Sequence, residues 1–170
     1  EVTKQKPRSL AEYTSVLKEL SQYTHDLQEA LDQMMLLSGV KTNFEIGPLR
    51  IDEILWQVIE NQIIYHQADI NVDIQVPDEN LLSVQGNAKL LQAAIGNIIE
   101  NAVKYSDNKQ INIQLLLQQQ QLEIRILDQG IGILPADISQ VKQNFFRGKN
   151  TQHYQGKGIG LSMADIIFKL

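Results

Sequence analysis

The stretch Asn97–Ser106 reads N-I-I-E-N-A-V-K-Y-S and places polar side chains within a segment that otherwise has the pattern of a buried helix. Apolar residues recur at spacings of three and four, which predicts one apolar helix stripe made of Leu91, Ile95, Ile98, Ala102 and Tyr105. Asn97, Asn101 and Lys104 fall on the neighbouring stripe with Ala94. Because asparagine is a poorer helix former than alanine, by about 0.5 kcal/mol, two asparagines one turn apart indicate a partner or a function.

An ordinary solvated helix face would also accommodate these asparagines. The functional interpretation is a magnesium and nucleotide site, in which an amide oxygen ligates Mg²⁺ and phosphates supply further ligands. Such a site needs glycine loops, and two follow downstream: D-Q-G-I-G at Asp128–Gly132 and G-K-G-I-G-L at Gly156–Leu161. Either loop alone is weak support, because short glycine repeats also form ordinary turns. The ordered set of motifs is far more specific.

Four motifs, in this order and spacing, resemble those of the ATP-binding catalytic domains of sensor histidine kinases, within the superfamily that includes gyrase, Hsp90 and MutL. N-x-x-x-N-A-x-K-Y-S resembles the N box, D-x-G-x-G the first glycine box, F-F-R-G at Phe145–Gly148 the F box, and G-x-G-I-G-L the second glycine box. The resemblance covers residues 44–170. It implies an α+β fold, a two-layer α/β sandwich of the Bergerat type, with ATP and Mg²⁺ as cofactors.

The resemblance also implies roles for individual residues. Asn101 matches the magnesium ligand, Lys104 a phosphate contact and Tyr105 an aromatic wall against adenine or ribose. Asn97 and Arg147 match catalytic positions, the arginine being a lid residue that reaches the γ-phosphate. The other nucleotide-binding positions, among them the aspartate that reads the adenine amino group, are Asp128, Gly130, Gly132, Phe146, Gly156, Lys157, Gly158, Gly160 and Leu161.

Physical chemistry supports several of these roles. Asp128 directly follows a predicted strand, and its acceptor-only carboxylate suits an amino donor. The three glycines at 156, 158 and 160 would leave the backbone amides of a helix start free to face phosphates. Lys157 stands where the family often has a small residue, so it is either an extra phosphate contact or solvent-facing. Lys142 replaces the aromatic residue that usually precedes the F box, so lid anchoring is expected to differ.

The residue at position 97 separates two enzyme classes. An ATPase of the gyrase or Hsp90 kind has a glutamate four residues before the magnesium asparagine to activate water, whereas an amide cannot act as a general base. We therefore predict a protein-histidine kinase that transfers the γ-phosphoryl of ATP to a histidine on a dimerisation helix, for relay to a response-regulator aspartate. The alternatives are a gyrase- or Hsp90-type ATPase and a non-catalytic nucleotide-binding or dimerisation module.

Residues 9–38 contain neither Pro nor Gly and predict one long coiled-coil-like helix. Its heptad a and d positions hold Leu10, Tyr13, Leu17, Leu20, Thr24, Leu27, Leu31 and Met34. Packing on its own domain is the alternative to pairing with another helix. By the resemblance, residues 1–40 are part of the second helix of a dimerisation and phosphoacceptor hairpin. Residues 41–170 are then the ATP-binding domain, and the family's last strands are expected to be missing.

His25 begins H-D-L, the outline of a phosphoacceptor motif, but the basic residue, Thr and Pro of that motif are absent. We therefore expect this sequence to lack its own phosphoacceptor histidine. Elsewhere the patterns predict a helix from Ile51 to about His66, strands at 70–76, 81–84, 111–117 and 122–127, a short helix from Pro135 and a last helix from Gly158. The segment Asn144–Gln155 has no apolar period and predicts a flexible lid.

Composition narrows the class of protein further. The net charge is −5 without a basic cluster, so we expect no nucleic-acid partner. The absence of cysteine excludes disulfides, thiolate metal sites and a cysteine nucleophile. No run of 18 apolar residues occurs. We expect a homodimer formed through the N-terminal helix, a response regulator as partner, and a cytoplasmic location as part of a sensor anchored in the inner membrane.

Overall fold

The computed structural model describes residues 9, 10, 12–17, 20, 21, 24 and 44–170 of the chain. The chain divides into two compact units, Glu1–Thr42 and Asn43–Leu170. In the first unit, the described residues after Ser9 are helical, and a capping box forms at the start. The Ser9 backbone N–H donates to Glu12 Oε2 over 2.7 Å, and the Glu12 N–H donates to Ser9 Oγ over 3.3 Å. His25 and the heptad positions after Thr24 lie outside the described residues.

Residues 44–170, the described part of the second unit, contain three helices and five strands. Two of the helices are long, α1 at Ile51–His66 and α2 at Ala88–Tyr105, whereas α3 at Gly160–Ile167 is short. The strands are β1 Gly47–Arg50, β2 Ile70–Gln75, β3 Ser83–Gly86, β4 Ile111–Gln118 and β5 Gln121–Leu127. Single 3₁₀ turns occupy Glu79–Leu82 and Lys149–Thr151. No helix among the described residues has the length and apolar content needed to cross a bilayer.

The strands form two sheets. The larger has the order β2-β4-β5, with β2 parallel to β4 and β4 antiparallel to β5, and the smaller pairs β1 with β3 antiparallel. The β4–β5 hairpin is closed by Gln119 and Gln120, which both have positive φ, 49° and 67°. These two glutamines therefore form the turn between the paired residues Gln118 and Gln121. β5 ends at Leu127, which lies opposite Asn112 near the start of β4. The following residue, Asp128, therefore lies at the end of the sheet where β4 begins.

The core lies between the larger sheet and the helices α1 and α2. Its most enclosed side chains come from all three elements, namely Leu55 and Ile59 from α1, Ile95 and Ile99 from α2, and Ile111, Ile113 and Leu115 from β4. Asn87 caps α2, because its Oδ1 accepts from the Leu90 N–H over 3.1 Å. The predicted α+β class with one helical and one sheet layer is confirmed.

Three local predictions need correction. The predicted single apolar stripe on α2 is wrong, because the apolar residues form two faces. Ile95, Ile99 and Val103 face the core, whereas Ile98 and Tyr105 line a cavity. The predicted strand 81–84 begins only at Ser83, after the 3₁₀ turn. The predicted short helix from Pro135 is a succession of tight turns in which Ile138 is 60% exposed, and so short a segment gains little helical stability without a packed apolar face.

Candidate functional site

A cavity of about 210 Å³ opens beside α2, the end of β5 and the segment that leads to α3. Apolar side chains from α2, β5 and the following loops form much of its wall, including Ile98, Ile126, Ile131 and Val141. The predicted site residues on this wall are Asn101, Tyr105, Asp128, Gly132, Phe146, Arg147 and Leu161. All four motif boxes therefore contribute to one cavity, although they are spread over more than 60 residues of sequence.

The first glycine box packs on the last turn of α2. The Ile131 N–H donates to the Tyr105 carbonyl over 3.1 Å, and a Cβ at Gly130 would lie only 2.5 Å from that oxygen. Asp128 Oδ1 accepts from the Gly130 N–H over 2.8 Å, which orients the carboxylate. Glycine is required at position 130 because any side chain would collide with the helix backbone. The close packing of this turn on α2 fixes the position of Asp128 relative to Tyr105.

Asn97 lies against the second glycine box and is not among the described residues that line the cavity. A Cβ at Gly160 would lie 3.1 Å from Asn97 Oδ1. The asparagine therefore faces the first residue of α3, one helical turn from Asn101 on the cavity wall. Gly160 permits the close approach of α3 to α2 at this level.

Lys104 reaches toward the loop before α3. Its Nζ lies 2.7 Å from the position of a Cβ at Gly156, and 4.8 Å from the ring centroid of Tyr105. An ammonium at this distance over an aromatic ring is attracted by the ring's negative face. The lysine thus places a positive charge beside the second glycine box, although the described cavity wall does not include it. Lys157, in that box, is exposed.

The F box is held by backbone contacts. Phe146 lines the cavity, and a Cβ at Gly158 would lie 2.6 Å from the Phe146 carbonyl oxygen. Gly158 has φ +72°, so its conformation as well as its surroundings favour glycine. The Arg147 guanidinium donates to the carbonyl oxygens of Thr151, over 2.7 Å, and Tyr154. The predicted lid is therefore folded back on itself around Arg147, with a 3₁₀ turn at Lys149–Thr151.

Lys142 anchors the segment before the F box by an ion pair. Its Nζ contacts Asp165 Oδ1 of α3 over 2.7 Å, and Lys169 contacts the other oxygen of Asp165 over 2.5 Å. Hydrogen bonds from Lys142 and then from Lys169 lower the pKa of Asp165 from its ordinary value. An exposed ion pair thus stands where an aromatic side chain was expected from the family pattern.

Sequence reasoning missed four residues of this region. Asp137, Asn150 and Thr151 line the cavity, and Asn150 Nδ2 donates to the Gly132 carbonyl over 3.0 Å. Asp137 Oδ2 is buried without a hydrogen-bond partner among the described residues. Tyr154 packs on Tyr105 from the lid. Only Tyr154 carried a signal in the sequence, as an aromatic residue within an otherwise polar stretch.

Comparison with known proteins identifies the family. Residues 86–170, half of the chain, match the family of histidine kinase-, DNA gyrase B- and HSP90-like ATPases. The chain belongs to this family. The matched region contains all four boxes, so the predicted resemblance is confirmed. Membership of this ATPase family also supports the predicted use of ATP.

Sensor histidine kinases are among the similar members of this ATPase family. The chain is 30% identical over 141 residues to the sensor-like histidine kinase SenX3 of Mycobacterium tuberculosis, which is 82% of this chain and 34% of SenX3. It is 26% identical over 152 residues to the phosphate regulon sensor protein PhoR of Pseudomonas aeruginosa, covering 87% of this chain and 34% of PhoR. The chain therefore spans about a third of the length of these curated relatives.

A solved structure within the family has the same fold. The mycobacterial sensor histidine kinase MprB superposes with a TM-score of 0.61 at 25% identity, over 74% of this chain and 80% of the MprB chain. Full-length ShkA in complex with AMPPNP superposes with a TM-score of 0.71 at 18% identity, over 96% of this chain and 35% of the ShkA chain. At that identity the likeness to ShkA concerns the fold alone.

Proposed function

We propose that this chain is the ATP-binding catalytic portion of a two-component sensor histidine kinase. It would transfer the γ-phosphoryl group of ATP to a histidine on a dimerisation helix, for relay to a response-regulator aspartate. The observation that carries this proposal is the convergence of the N box, both glycine boxes and the F box on one cavity. The name of SenX3, a sensor-like histidine kinase, supports the kinase assignment over other branches of the family.

The base-binding end of the cavity is assigned to Asp128 and Tyr105. Asp128 Oδ1 is occupied by the Gly130 N–H, and this turn leaves the second carboxylate oxygen to accept from the adenine amino group. The Tyr105 ring would form the aromatic wall beside the base. Apolar neighbours such as Ile98 and Ile126 exclude water there, which strengthens the single polar contact that distinguishes adenine.

The phosphate end is assigned to Asn101, Lys104 and Arg147. The side-chain amide of Asn101 is on the cavity wall and offers an oxygen of the kind that Mg²⁺ prefers, so the residues present fit this ion. When bound, Mg²⁺ would neutralise phosphate charge. Lys104 lies against the second glycine box. Arg147 would give up its hydrogen bonds to the lid carbonyl oxygens and bind the γ-phosphate instead. Phosphoryl transfer passes through a loose transition state, so positioning and positive charge are the chain's main contributions.

In the described N box, no carboxylate stands at the position where a gyrase- or Hsp90-type ATPase would have its general base. Asn97 replaces the water-activating glutamate and packs against Gly160. Glu100, the acidic residue of the N box, lines a separate cavity of about 250 Å³ with Gln62 and His66 of α1. Glu100 is not among the described residues that line the nucleotide cavity, which supports phosphoryl transfer to a side chain over hydrolysis.

The wider assembly is also part of the proposal. Residues 1–40 would be part of a dimerisation helix and residues 41–170 the catalytic domain of a homodimer. The full protein would be membrane-anchored, with this part in the cytoplasm. Leu10, Leu17 and Leu20 at heptad positions are 85%, 66% and 52% exposed, which supports their burial against a second helix. Sedimentation should show a dimer that the pair Leu17→Glu and Leu20→Glu dissociates, and an unchanged mass would contradict this.

The nucleotide site is tested by titration calorimetry with Mg²⁺ and ATP. Asn101→Asp and Asp128→Asn should each weaken ATP binding at least about 30-fold. The first replaces the amide assigned to Mg²⁺, and the second replaces the carboxylate that accepts from the adenine amino group. Asn71→Asp and Asp73→Asn are matched controls, since they make the same chemical changes on β2, which β4 separates from β5. Equal affinities in all four variants would show that the residues are wrongly assigned.

A further inference from the structure

One lid side chain, Tyr154, connects the lid to the end of α2. Its ring packs edge-on against Tyr105, with 5.0 Å between the ring centroids and 65° between the planes. Its hydroxyl donates to Asp107 Oδ1 over 3.1 Å. Asp107 lies two residues after the end of α2, has φ 53°, and precedes Tyr154 by 47 residues in the sequence. Tyr154 therefore bridges two segments that are distant in the chain.

The backbone of Tyr154 participates in the lid as well. Its carbonyl accepts from the Arg147 guanidinium, and its N–H donates to the Thr151 carbonyl over 3.1 Å. One residue thus contacts both Tyr105, assigned to the base, and Arg147, assigned to the γ-phosphate. Tyr154 is nevertheless not among the described residues that line the cavity. Any effect of Tyr154 on a bound nucleotide would act through these two neighbours.

We propose that Tyr154 is a positioning residue for nucleotide binding, which braces the Tyr105 ring from the lid side and holds the lid against α2. This inference rests on the proposed function, because the ring of Tyr105 matters only if a base binds beside it. Edge-to-face packing favours one orientation of the Tyr105 ring. A Tyr105 ring that is already held in one orientation loses less conformational freedom when the base binds. Tyr154 would therefore increase nucleotide affinity without contacting the nucleotide.

The hydroxyl contact is available over the whole neutral range. Partial removal from water and then the hydrogen bond to Asp107 raise the pKa of Tyr154 above its ordinary value. The phenol therefore remains a donor while Asp107 accepts. When Arg147 leaves the Tyr154 carbonyl for a phosphate, the ring and hydroxyl contacts still hold this part of the lid beside α2. The ring contact should matter equally for ADP and ATP, because both carry the base.

A double-mutant cycle on the 170-residue chain tests the inference. ADP and ATP affinities are measured by calorimetry for Tyr105→Ala, Tyr154→Ala and the double variant. We expect Tyr154→Ala to weaken both nucleotides about three- to ten-fold, the usual range for an aromatic pair. The same change should have no further effect in the Tyr105→Ala background, because the ring that it braces is gone. Tyr154→Phe, which keeps the ring, should recover most of the affinity.

The control is Tyr65→Ala, at a tyrosine on α1 that is 60% exposed, and the free energy of unfolding is measured for every variant. Additive effects in the cycle, or full affinity in Tyr154→Ala while Tyr105→Ala binds weakly, would overturn the inference and leave the nucleotide site intact. An affinity loss explained by unfolding, or shared by Tyr65→Ala, would also overturn it. If the unsubstituted chain binds no nucleotide, the proposed function fails and the inference fails with it.

Discussion

Replacing Gly130 by alanine tests the packing that places Asp128 beside α2. The added Cβ would lie 2.5 Å from the Tyr105 carbonyl oxygen and 2.8 Å from its carbonyl carbon. Both are backbone atoms near the C-terminal end of α2, so no side-chain rotation relieves the overlap. Either the helix end or the D-Q-G-I-G turn must move. The hydrogen bond from the Ile131 N–H to the same oxygen, 3.1 Å long, must then lengthen or break.

The size of the effect follows from these two changes. Forcing one extra carbon into a closely packed position costs about 1–3 kcal/mol, and losing one hydrogen bond costs about 1 kcal/mol. We therefore expect Gly130→Ala to lower the free energy of unfolding by about 2–4 kcal/mol, which corresponds to a fall in Tm of about 10 °C for a chain of this length. ATP affinity should fall as well, because Asp128 moves relative to Tyr105.

Chemical unfolding and ATP titration measure both consequences, and two other glycines provide controls. Gly47 of β1 has nothing within 4 Å of its Cβ position, so Gly47→Ala should change stability by less than about 0.5 kcal/mol. Gly132 also has open space but φ +66°, so Gly132→Ala isolates the backbone strain, about 1 kcal/mol. If Gly130→Ala is as stable as Gly47→Ala and binds ATP normally, the close packing is wrong.

Two further predictions concern charge. Arg147→Ala should slow phosphoryl transfer from γ-labelled ATP to a supplied phosphoacceptor hairpin about 100-fold while weakening ATP binding less than about 10-fold. The reason is that the arginine contact matters most in the transition state, and equal losses of transfer rate and ATP affinity would argue against it. The hydrogen bond from Arg50 lowers the pKa of Asp52 below its unfolded value of 3.8, so the stabilisation is present above that pH and lost as the pH falls through the lower folded pKa. Asp52→Asn should therefore be less stable than the unsubstituted chain at pH 7, and the difference should shrink as the pH falls below 3.8. A difference in unfolding free energy that stays constant over this range would refute the reasoning.

The motif boxes were predictable because their requirements are local. Gly132 and Gly158 have left-handed φ values of +66° and +72°, and a glycine at such a position is visible in the sequence. The three- and four-residue spacing of apolar residues likewise located α2. Local pattern could not show which of the two apolar sides of α2 faces the core, because Ile98 and Ile99 are equally apolar. Only the tertiary packing separates the cavity side from the core side.

The errors have a common physical cause. Pro135 satisfied the local rule for a helix start, but the segment that follows is short and leaves Ile138 exposed, so tight turns replace the helix. The contact of Tyr154 with Asp107 joins residues 47 positions apart and leaves no periodic trace. The internal hydrogen bonds of Arg147 depend similarly on the lid's fold. Long-range contacts of polar loops are thus the part that sequence patterns do not encode.

The glutamine turn of the β4–β5 hairpin is a convenient attachment point for a reporter group. The hairpin register runs from Asn112 opposite Leu127, beside the cavity, to Gln118 opposite Gln121, next to the turn. At about 3.3 Å per residue, this separates the turn from Asp128 by about 20 Å. Since the sequence contains no cysteine, Gln120→Cys would introduce a single thiol for a fluorophore or a surface tether. Nucleotide binding could then be followed at a distance, with the cavity itself left unlabelled.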